Sequence, residues 1–228
     1  MNIDAVKQGK IENISMVRVK NNEKITNKPY IYVKRGIDVI LSTIALVVLS
    51  PLFLILAILI KLDSKGPVFF LHTRIGKNGK NIKIYKFRTM VTNAEELIKE
   101  FTPEQMKEYK ENYKLTNDPR ITKIGKFLRK TSLDELPQLI NIIKGDLSII
   151  GPRPVVKDEL EKYEENIAKF LSVTPGLTGN WAANGRNNTT YEERMRLELE
   201  YVDNISLKTD IKIFFQTIYA VIKKEGAM

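Results

Sequence analysis

Residues 37–60 read IDVILSTIALVVLSPLFLILAILI, an apolar run in which Asp38 carries the only charge. On length alone, such a run can cross a bilayer whose hydrocarbon core is roughly 30 Å thick. Pro51 interrupts the run, and proline removes one helical N–H and clashes with the carbonyl four residues earlier, so a bend is expected there. At about 1.5 Å per residue, the halves 39–49 and 52–60 are each too short to cross that core. The run therefore predicts a helix that enters a membrane without crossing it.

Basic residues flank the apolar run on both sides. Lys34 and Arg35 precede it, and Lys61 and Lys65 follow it. An excess of lysine and arginine is typical of loops that stay in the cytoplasm. A re-entrant helix-break-helix over residues 30–62 keeps both flanks on that side of the membrane.

Ser50 supplies a chemical reason for a break at this position. Its hydroxyl can hydrogen-bond backbone groups that Pro51 leaves unpaired, which matters in lipid because unpaired polar groups are costly there. Two other interpretations stay open. A kinked helix can still span the bilayer, since proline is tolerated in spanning helices. A buried core helix would need a polar face made only of Asp38, Ser42, Thr43 and Ser50.

The composition of the 228 residues limits the classes of function. A hydrophobic fraction of 43% can fill the core of one ordinary domain plus a membrane element. Lysine and arginine total 37 against 27 acidic residues, and the resulting charge of +10 favours anionic partners. With no cysteine and His72 as the one histidine, the sequence excludes disulfides and thiol nucleophiles and disfavours zinc chemistry.

Three regions follow from these patterns. Residues 1–29 are a polar extension without the apolar core and cleavage site of a signal peptide. Residues 30–62 are the membrane segment. Residues 63–228 are predicted to form a cytoplasmic domain.

Residues 67–90 predict a β-hairpin. Two short strand patterns are joined at Asn78-Gly79, a dipeptide that favours the positive φ angles of a tight turn. The hairpin is expected to present three cations: Arg74, Lys86 and Arg88.

The remaining segments are mostly helical in character. Residues 92–114 and 155–170 have helical composition, with a break in the first at Pro103, and the glycine-rich residues 173–186 predict a loop. Residues 206–228 predict an amphipathic helix whose apolar side either packs on the domain or contacts a membrane surface. That side comprises Ile211, Phe214, Phe215, Ile218, Tyr219 and Ile222.

Residues 131–154, TSLDELPQLINIIKGDLSIIGPRP, contain the side chains best suited to take part in a reaction. Asp134 and Glu135 come just before Pro137, a residue that favours the first position of a helix. The free N–H groups and the dipole of such a helix favour anions at the acid pair. A carboxylate held there can attack phosphorus, and its neighbour can bind Mg²⁺. Arg153, fixed between two prolines, is the best candidate to neutralise phosphate oxygens.

Two simpler interpretations of this segment stay open. Ser132 and Glu135 match a capping box, in which Glu135 only closes a helix start. Arg153 also fits a solvated arginine in a surface turn, because turns use proline freely. Some cations of the basic run before the acid pair are expected to contact phosphates; the run comprises Arg120, Lys123, Lys126, Arg129 and Lys130.

As a set, these stretches resemble the bacterial sugar transferases, the monotopic phosphoglycosyl transferases that start glycoconjugate assembly on a polyprenol phosphate. The resemblance covers residues 30–226. It rests on LSPLFLILAILIK, RIGKNGKNIKIYKFRTM, DPRITKIGKFLRKTSLDELPQLINIIKGDLSIIGPRP, TPGLTGNWAANGR and YVDNISLKTDIKIFFQT. The fold that it implies is a compact, mostly helical α/β catalytic domain with a small β-hairpin, with interfacial helices on the cytoplasmic face of the bacterial plasma membrane.

The resemblance implies a two-step, Mg²⁺-dependent transfer. Asp134 would attack the β-phosphorus of a UDP-sugar and release UMP, and the polyprenol phosphate would then attack the phosphosugar held on the enzyme. Glu135 matches the acid assigned to the metal, and Ser50-Pro51 matches the break in the family's re-entrant helix. The basic residues assigned to phosphates and nucleotide are Lys86, Arg88, Arg129, Arg153 and Arg186.

The implied partners are the UDP-sugar donor, the polyprenol phosphate acceptor and membrane lipids, without nucleic acid; a homodimer stays open. Ala182 and Ala183 depart from the pattern, because many relatives carry a glutamine near the tryptophan, so no nucleotide contact is assigned to them. Two alternatives remain. One is a membrane-anchored basic module that binds anions without turnover. The other is direct attack by the lipid phosphate, with Asp134 as a metal ligand.

Overall fold

The structure, a computed structural model, describes residues 28–112, 115–185 and 189–223; residues 1–27 of the predicted extension and Arg186 lie outside them. In chain order the helices and strands are α1 Lys28–Asp63, β1 Phe69–Ile75, β2 Asn81–Phe87, α2 Pro103–Asn112, α3 Lys123–Thr131, α4 Gln138–Lys144, β3 Ser148–Ile150, α5 Lys157–Glu161, α6 Ile167–Phe170, β4 Gly176–Thr178, α7 Asn180–Ala183, α8 Tyr191–Asp203 and α9 Leu207–Ile222. Short 3-10 turns cover Lys77–Gly79, Glu96–Glu100, Leu133–Glu135 and Glu164–Asn166. The prediction of a mostly helical fold with a small hairpin is confirmed.

The apolar run lies within one helix, α1, which continues through Pro51. The predicted break at Ser50-Pro51, which would divide residues 30–62 into two helices, is therefore wrong: the helix is uninterrupted there. Pro51 has no N–H to donate to the Val47 carbonyl four residues earlier. The Ser50 hydroxyl donates to that carbonyl instead, at 2.8 Å. The predicted role of Ser50 is confirmed, because its side chain pairs an acceptor that the proline leaves unpaired.

Both ends of α1 are bonded to the same folded domain. Near its start, Asp38 Oδ1 accepts a hydrogen bond from the Ile149 backbone N–H at 3.0 Å. At its end, Asp63 Oδ2 accepts one from the Ile124 backbone N–H, also at 3.0 Å. Asp38 is only 4% exposed, so the one charge of the apolar run is a buried structural acceptor.

The side of α1 that faces away from the domain is apolar and exposed. Its exposed side chains include Ile40, Ile44, Val47, Val48, Leu54, Ile55, Ile58 and Leu62. Among the described residues, Pro29–Asp63 is the one helical stretch long and apolar enough to cross a membrane, and 11% of its most apolar window is buried. The core helix of a soluble domain would bury far more, so that interpretation of the run does not fit.

β1 and β2 form the predicted hairpin. The strands pair antiparallel, with Phe70 opposite Lys86. Asn78 and Gly79 have φ angles of 55° and 77°, the positive values that an Asn-Gly turn uses. The hairpin prediction is confirmed, including its turn.

The hairpin packs between α1 and the helices that follow it. One core cluster joins β2 to α4 and the segment after it: Ile82, Ile84, Leu139, Ile142 and Leu147. A second joins β2 to α1 and α3: Leu56, Ile60, Phe87 and Leu128. These two clusters fix β2 against α3 and α4, and they thereby hold Lys86 beside the turn that connects those helices.

A short parallel pair, β3 with β4, lies where the sequence predicts a loop over residues 173–186. The two backbones meet so closely that a Cβ on Gly176 would lie 2.1 Å from the Gly151 nitrogen, so only glycine fits at position 176. Each strand has 3 residues, too few to produce a readable period-two pattern. The pairing depends on this close approach, which local composition does not predict.

The apolar stripe of α9 is exposed. Its exposed members are Ile211, Phe214, Phe215, Ile218 and Tyr219. The opposite side of the helix contributes Asp210, Ile213 and Ala220 to the interior. The most exposed members, Ile211, Phe215 and Tyr219, therefore do not pack on the domain, and the side chain of Ile222 lies outside the described part of the chain.

Asp210 ties the start of α1 to the start of α9. Its carboxylate accepts hydrogen bonds from the Tyr30 hydroxyl at 2.6 Å and from Lys34 Nζ at 2.7 Å. The Tyr201 hydroxyl of α8 donates to the other oxygen at 2.8 Å. Three helices therefore meet at one buried carboxylate.

Candidate active site

The acid pair lies on a tight turn between α3 and α4. α3 ends at Thr131, and the next residue, Ser132, has a left-handed φ of 57°. A 3-10 turn then covers Leu133–Glu135, and α4 begins at Gln138, directly after Pro137. The acid pair therefore stands just ahead of a helix that starts at the proline, as predicted.

Ser132 and Glu135 do not form a capping box. The Ser132 side chain makes no capping hydrogen bond, and this residue instead closes the preceding helix. The Glu135 carboxylate accepts a hydrogen bond from Lys86 Nζ at 2.7 Å. The capping interpretation is wrong, because the Glu135 side chain forms an ion pair with a distant strand.

Glu135 is held ionised by two cations from different parts of the chain. Lys86 comes from β2, and Arg153 Nη1 lies 3.6 Å from Glu135 Oε1. Burial would raise the pKa of Glu135, but Lys86 and Arg153 outweigh it and lower the pKa to about 2. The side chain keeps 23% of its surface exposed, so the ionised carboxylate still faces solvent.

Asp134 has a different environment from its neighbour. Among the described residues, no other side chain forms a hydrogen bond or ion pair with its carboxylate. Burial raises the pKa of Asp134; Lys86 and Arg129 oppose this rise, and the charge of Glu135 adds to it. The two acids are therefore unequal. Glu135 is engaged by cations, whereas Asp134 can approach an incoming group without first breaking a salt bridge.

Arg153 lies on a loop whose backbone is fixed by neighbouring elements. The Gly176 N–H donates to the Pro152 carbonyl at 2.8 Å, and the Arg153 N–H donates to Glu198 Oε1 at 3.1 Å. The guanidinium lies 5.8 Å from the centre of the Trp181 ring. The interpretation of Arg153 as a solvated turn residue does not fit these contacts.

Further charged residues from the hairpin and α8 extend this region. Arg194 Nη1 lies 3.7 Å from the Glu159 carboxylate, and Arg74 Nη1 lies 3.5 Å from the same carboxylate. Burial, and then the charges of the surrounding cations, lowers the pKa of His72 to about 4, so this histidine is neutral at pH 7. Cations outnumber acids here, which favours the binding of phosphates.

Two arginines of the basic run have different environments. Arg129 donates through Nε to Thr89 Oγ1 at 2.9 Å and interacts with the charge of Asp134. Arg120 is 5% exposed and forms a hydrogen-bonded ion pair with Asp118, its Nη2 lying 2.7 Å from Oδ2. The structure therefore brings Arg129 to the acid pair and gives Arg120 a structural role.

The structure does not bring Arg88 to the acid pair. Arg88 is 5% exposed, and its guanidinium donates to the Pro67 carbonyl at 2.6 Å and to the Ser64 carbonyl at 2.8 Å. These bonds hold the connection between α1 and β1. The geometry around Arg88 argues for a structural role, and Arg186 lies outside the described residues.

Sequence reasoning missed Arg194, Glu198 and Trp181 as neighbours of Arg153. Arg194 is 8% exposed and Glu198 is 1% exposed, both on the buried side of α8 that also carries Tyr201. Charged residues are rarely buried unless they are paired, and these two are four residues apart on one helix side. The four-residue spacing of Arg194 and Glu198, on the helix side that also carries Tyr201, is the sequence feature that indicates their burial.

The acid pair fits a hard divalent cation. Within the described ranges there is no group of three or more His, Cys, Asp or Glu side chains that could hold a metal ion. A hard cation such as Mg²⁺ bound here could take carboxylate oxygens from the pair, and it usually takes its other ligands from substrate phosphates and water. The ionised state of Glu135 suits it to this task.

Comparisons with known proteins give one consistent set of similarities. The profile of a family described as bacterial sugar transferase matches residues 29–224. The exopolysaccharide production protein ExoY of Rhizobium meliloti is 47% identical over 197 residues, which are 85% of this chain and 87% of that protein.

Two longer relatives carry more explicit names. The undecaprenyl-phosphate galactose phosphotransferase of Salmonella typhimurium is 42% identical over 217 residues, 94% of this chain and 45% of that protein. The UDP-glucose:undecaprenyl-phosphate glucose-1-phosphate transferase of Escherichia coli is 40% identical over 195 residues, 82% of this chain and 39% of that protein. The chain therefore spans less than half the length of these two relatives.

Proposed function

The chain belongs to the bacterial sugar transferase family, and we propose that it transfers a sugar 1-phosphate from a UDP-sugar to a polyprenol phosphate. The names of two relatives, at 42% and 40% identity, support this general reaction. The products are a polyprenyl-diphosphate-sugar and UMP. The reaction is the first membrane step in the assembly of a glycoconjugate such as an exopolysaccharide.

The transfer takes place in two steps at one phosphorus atom. An oxygen of the Asp134 carboxylate attacks the β-phosphorus of the UDP-sugar, the bond to the oxygen that bridges the two phosphorus atoms breaks, and UMP leaves with its electron pair. The sugar phosphate stays on the enzyme as an acyl phosphate, an intermediate known for carboxylate nucleophiles. An oxygen of the polyprenol phosphate then attacks the same phosphorus, and the Asp134 carboxylate leaves unchanged.

Neighbouring residues orient the phosphates and neutralise their charge. Lys86 and Arg153, which pair with Glu135 in the free protein, exchange that partner for non-bridging phosphate oxygens. Arg129 opposes the rise in the pKa of Asp134 and so favours the ionised form that attacks. Mg²⁺ held by Glu135 would offset the negative charge on the phosphates and on the departing UMP.

The observation that carries this proposal is the unequal acid pair. Glu135 is ionised and held by Lys86 and Arg153 at 2.7 Å and 3.6 Å. Asp134 beside it has no such partner among the described side chains. A structural ion-pair network would engage both acids, whereas a nucleophile must remain available.

The test is to trap the intermediate. The protein is incubated with labelled UDP-sugar and Mg²⁺ without acceptor, quenched, and its intact mass is measured. We expect a phosphosugar adduct with equimolar UMP for the wild type and for Asp158→Asn, a control at an exposed aspartate of α5. Asp134→Asn should give neither. If Asp134→Asn still turns over with acceptor present, the lipid phosphate attacks directly; if no donor yields UMP, the chain is a binding module.

We also propose that α1 is re-entrant and that the domain lies on the cytoplasmic face of the plasma membrane. Asp38 and Asp63, near the two ends of the apolar run, both bond to backbone groups of one domain. A spanning helix would place those ends on opposite sides of a core roughly 30 Å thick. The exposed apolar side of α1 would then lie in lipid, and the basic flanks would stay outside it.

Cysteine labelling tests this topology, because the sequence has no cysteine of its own. Lys28→Cys and Lys65→Cys are placed separately in intact cells and in inverted vesicles, and a membrane-impermeant maleimide is added. We expect both positions to react from the cytoplasmic side. Labelling from opposite sides would establish a spanning helix.

The exposed stripe of α9 supports a second contact with the membrane. Phe215 is 65% exposed and Tyr219 is 56% exposed, and an exposed aromatic and apolar side with Lys208 and Lys212 beside it suits a helix lying in the headgroup region. Phe215→Glu should move protein from the membrane fraction to the soluble fraction when α1 is weakened by Ile44→Glu. Lys157→Gln, at an exposed site of α5, is the control for the same change of one charge unit.

A further inference from the structure

The backbone of the Pro-Arg-Pro segment offers a single hydrogen-bond donor. Pro152 and Pro154 have no N–H, so the N–H of Arg153 is the one backbone donor among these three residues. It donates to Glu198 Oε1 at 3.1 Å. A bond at this point sets the plane of the peptide from which the Arg153 side chain departs.

Glu198 reaches this loop from the interior of α8. It is 1% exposed, and a carboxylate so deeply buried is costly unless it is bonded. Its other oxygen has no hydrogen-bond partner among the described residues. The hydrogen bond to the Arg153 backbone is therefore the structural role that the described contacts give this carboxylate.

The space around Glu198 is closely packed. A Cβ on Gly179 would lie 2.2 Å from the Gly151 carbonyl oxygen and 3.7 Å from Glu198 Oε2. The Arg194 guanidinium, one turn earlier on α8, lies 4.6 Å from the centre of the Trp181 ring, and Arg153 lies 5.8 Å from the same ring. The backbone of Arg153 is thus fixed by Glu198, while its side chain lies between Trp181 and Glu135.

We propose that Glu198 is a positioning residue: by accepting the Arg153 N–H it fixes the loop so that the guanidinium meets the donor's diphosphate beside the acid pair. This inference rests on the proposed function for the identity of the ligand. Glu198 acts through Arg153 and touches no substrate. Its loss should therefore matter only while Arg153 is present.

The test compares three variants by their affinity for UDP, measured by titration calorimetry with Mg²⁺. Glu198→Leu keeps the approximate size and removes the acceptor, and it should weaken UDP binding by on the order of tenfold. Glu198→Gln keeps an acceptor oxygen and should stay within about threefold of the wild type. Glu200→Leu, an exposed glutamate two residues along α8, is the matched control and should leave affinity unchanged.

A double-mutant cycle separates positioning from a general structural role. In an Arg153→Ala background, Glu198→Leu should change UDP affinity by less than about twofold. An equal loss in both backgrounds would overturn the proposal, because it would mean a change that does not pass through Arg153. Amide hydrogen exchange at Arg153 gives a second readout, which should be faster in Glu198→Leu and unchanged in Glu198→Gln.

These readouts do not depend on turnover, so they separate this proposal from the proposed function. If the wild type binds UDP but releases no UMP from any UDP-sugar, the transfer reaction fails while the cycle still decides the role of Glu198. Unchanged exchange at Arg153 in a folded Glu198→Leu protein would overturn the role of Glu198 even if the enzyme is active. If Glu198→Leu does not fold, full UDP affinity and unchanged Arg153 exchange in Glu198→Ala would overturn it equally.

Discussion

The Lys86 ammonium nitrogen lies 2.7 Å from Glu135 Oε1, and this contact joins the hairpin to the turn that carries the acid pair. The two residues are 49 positions apart in the chain. The contact keeps one acid of the pair ionised and holds a cation beside the other. The charge state of the free site therefore depends on how the hairpin packs.

Lys86→Met should lower kcat for UMP release by on the order of 100-fold, because a cation facing the phosphates is lost. It should also destabilise the fold by about 1 kcal/mol at pH 7. The pKa of Glu135 is lowered from 4.5 to about 2, so the stabilisation is present above pH 4.5 and disappears as the pH falls through about 2. Urea denaturation from pH 7 to pH 2 measures this. If the difference in unfolding free energy between the wild type and Lys86→Met stays constant from pH 7 to pH 2, Lys86 does not lower the pKa of Glu135.

Substitution of Arg88 should mainly lower stability, whereas substitution of Arg153 should mainly lower the affinity for UDP. Arg88→Met leaves the carbonyls of Ser64 and Pro67 without their donors, and we expect a loss of about 3 kcal/mol in unfolding free energy. UDP affinity per folded molecule should stay within about twofold. Arg153→Met should cost less than about 1 kcal/mol and weaken UDP binding by on the order of tenfold. A folded Arg88→Met protein that binds UDP poorly would instead show that Arg88 contributes to UDP binding.

Glu198→Gln should change how stability depends on pH. Burial raises the pKa of Glu198 from 4.5 to about 7, against the opposing effects of the Arg153 N–H and the Arg194 and Arg153 charges. A raised pKa contributes stability that is complete below pH 4.5 and is lost as the pH rises through about 7. The wild type should therefore lose up to about 3 kcal/mol relative to Glu198→Gln across this window.

Chemical denaturation of both proteins at pH 4.5, 6 and 8 gives the measurement. Glu200→Gln, at an exposed site on the same helix, should follow the wild type at every pH. The hydroxyl of Tyr163 also faces Glu198, but burial first, and then the charge of Glu198, raises its pKa far above this window. A pH-independent difference between Glu198→Gln and the wild type would show that Glu198 ionises as an ordinary carboxylate.

Ser50 and Pro51 should be energetically coupled. Ser50→Ala leaves the Val47 carbonyl unpaired, and in lipid we expect this to cost about 1 kcal/mol or more. Pro51→Ala restores an N–H at the right position, so in that background the loss of the hydroxyl should cost little. Unfolding in lipid-detergent micelles measures the coupling. Equal costs in the two backgrounds would mean that the Ser50 hydrogen bond has no part in compensating for the proline.

Much of the site was predictable because it lies in continuous segments. The Asn78-Gly79 turn specifies the hairpin that carries Lys86, and Pro137 specifies the helix start that the acid pair precedes. Pro152 and Pro154 restrict the backbone on both sides of Arg153 and so predict its rigid position. In each case a local backbone preference fixed the position of a charged side chain.

The remaining features depend on contacts between distant segments. β3 and β4 are too short for a pattern and depend on the Gly151 and Gly176 backbones meeting. The burial of Arg88 depends on carbonyls of the connection before β1, and nothing in its own segment distinguishes it from Lys86. Glu198 looks like an ordinary helix glutamate until α8 is packed against the Pro-Arg-Pro loop.

The carboxylate of Asp210 has a consequence for biosynthesis. It bonds to the hydroxyl of Tyr30, 180 positions earlier in the chain. A ribosome completes α1 long before α9 emerges, and contacts of such sequence separation form late in folding. The apolar helix is therefore in contact with lipid or a chaperone, without its bond to Asp210, until the start of α9 has been synthesised and can fix the first turn of α1.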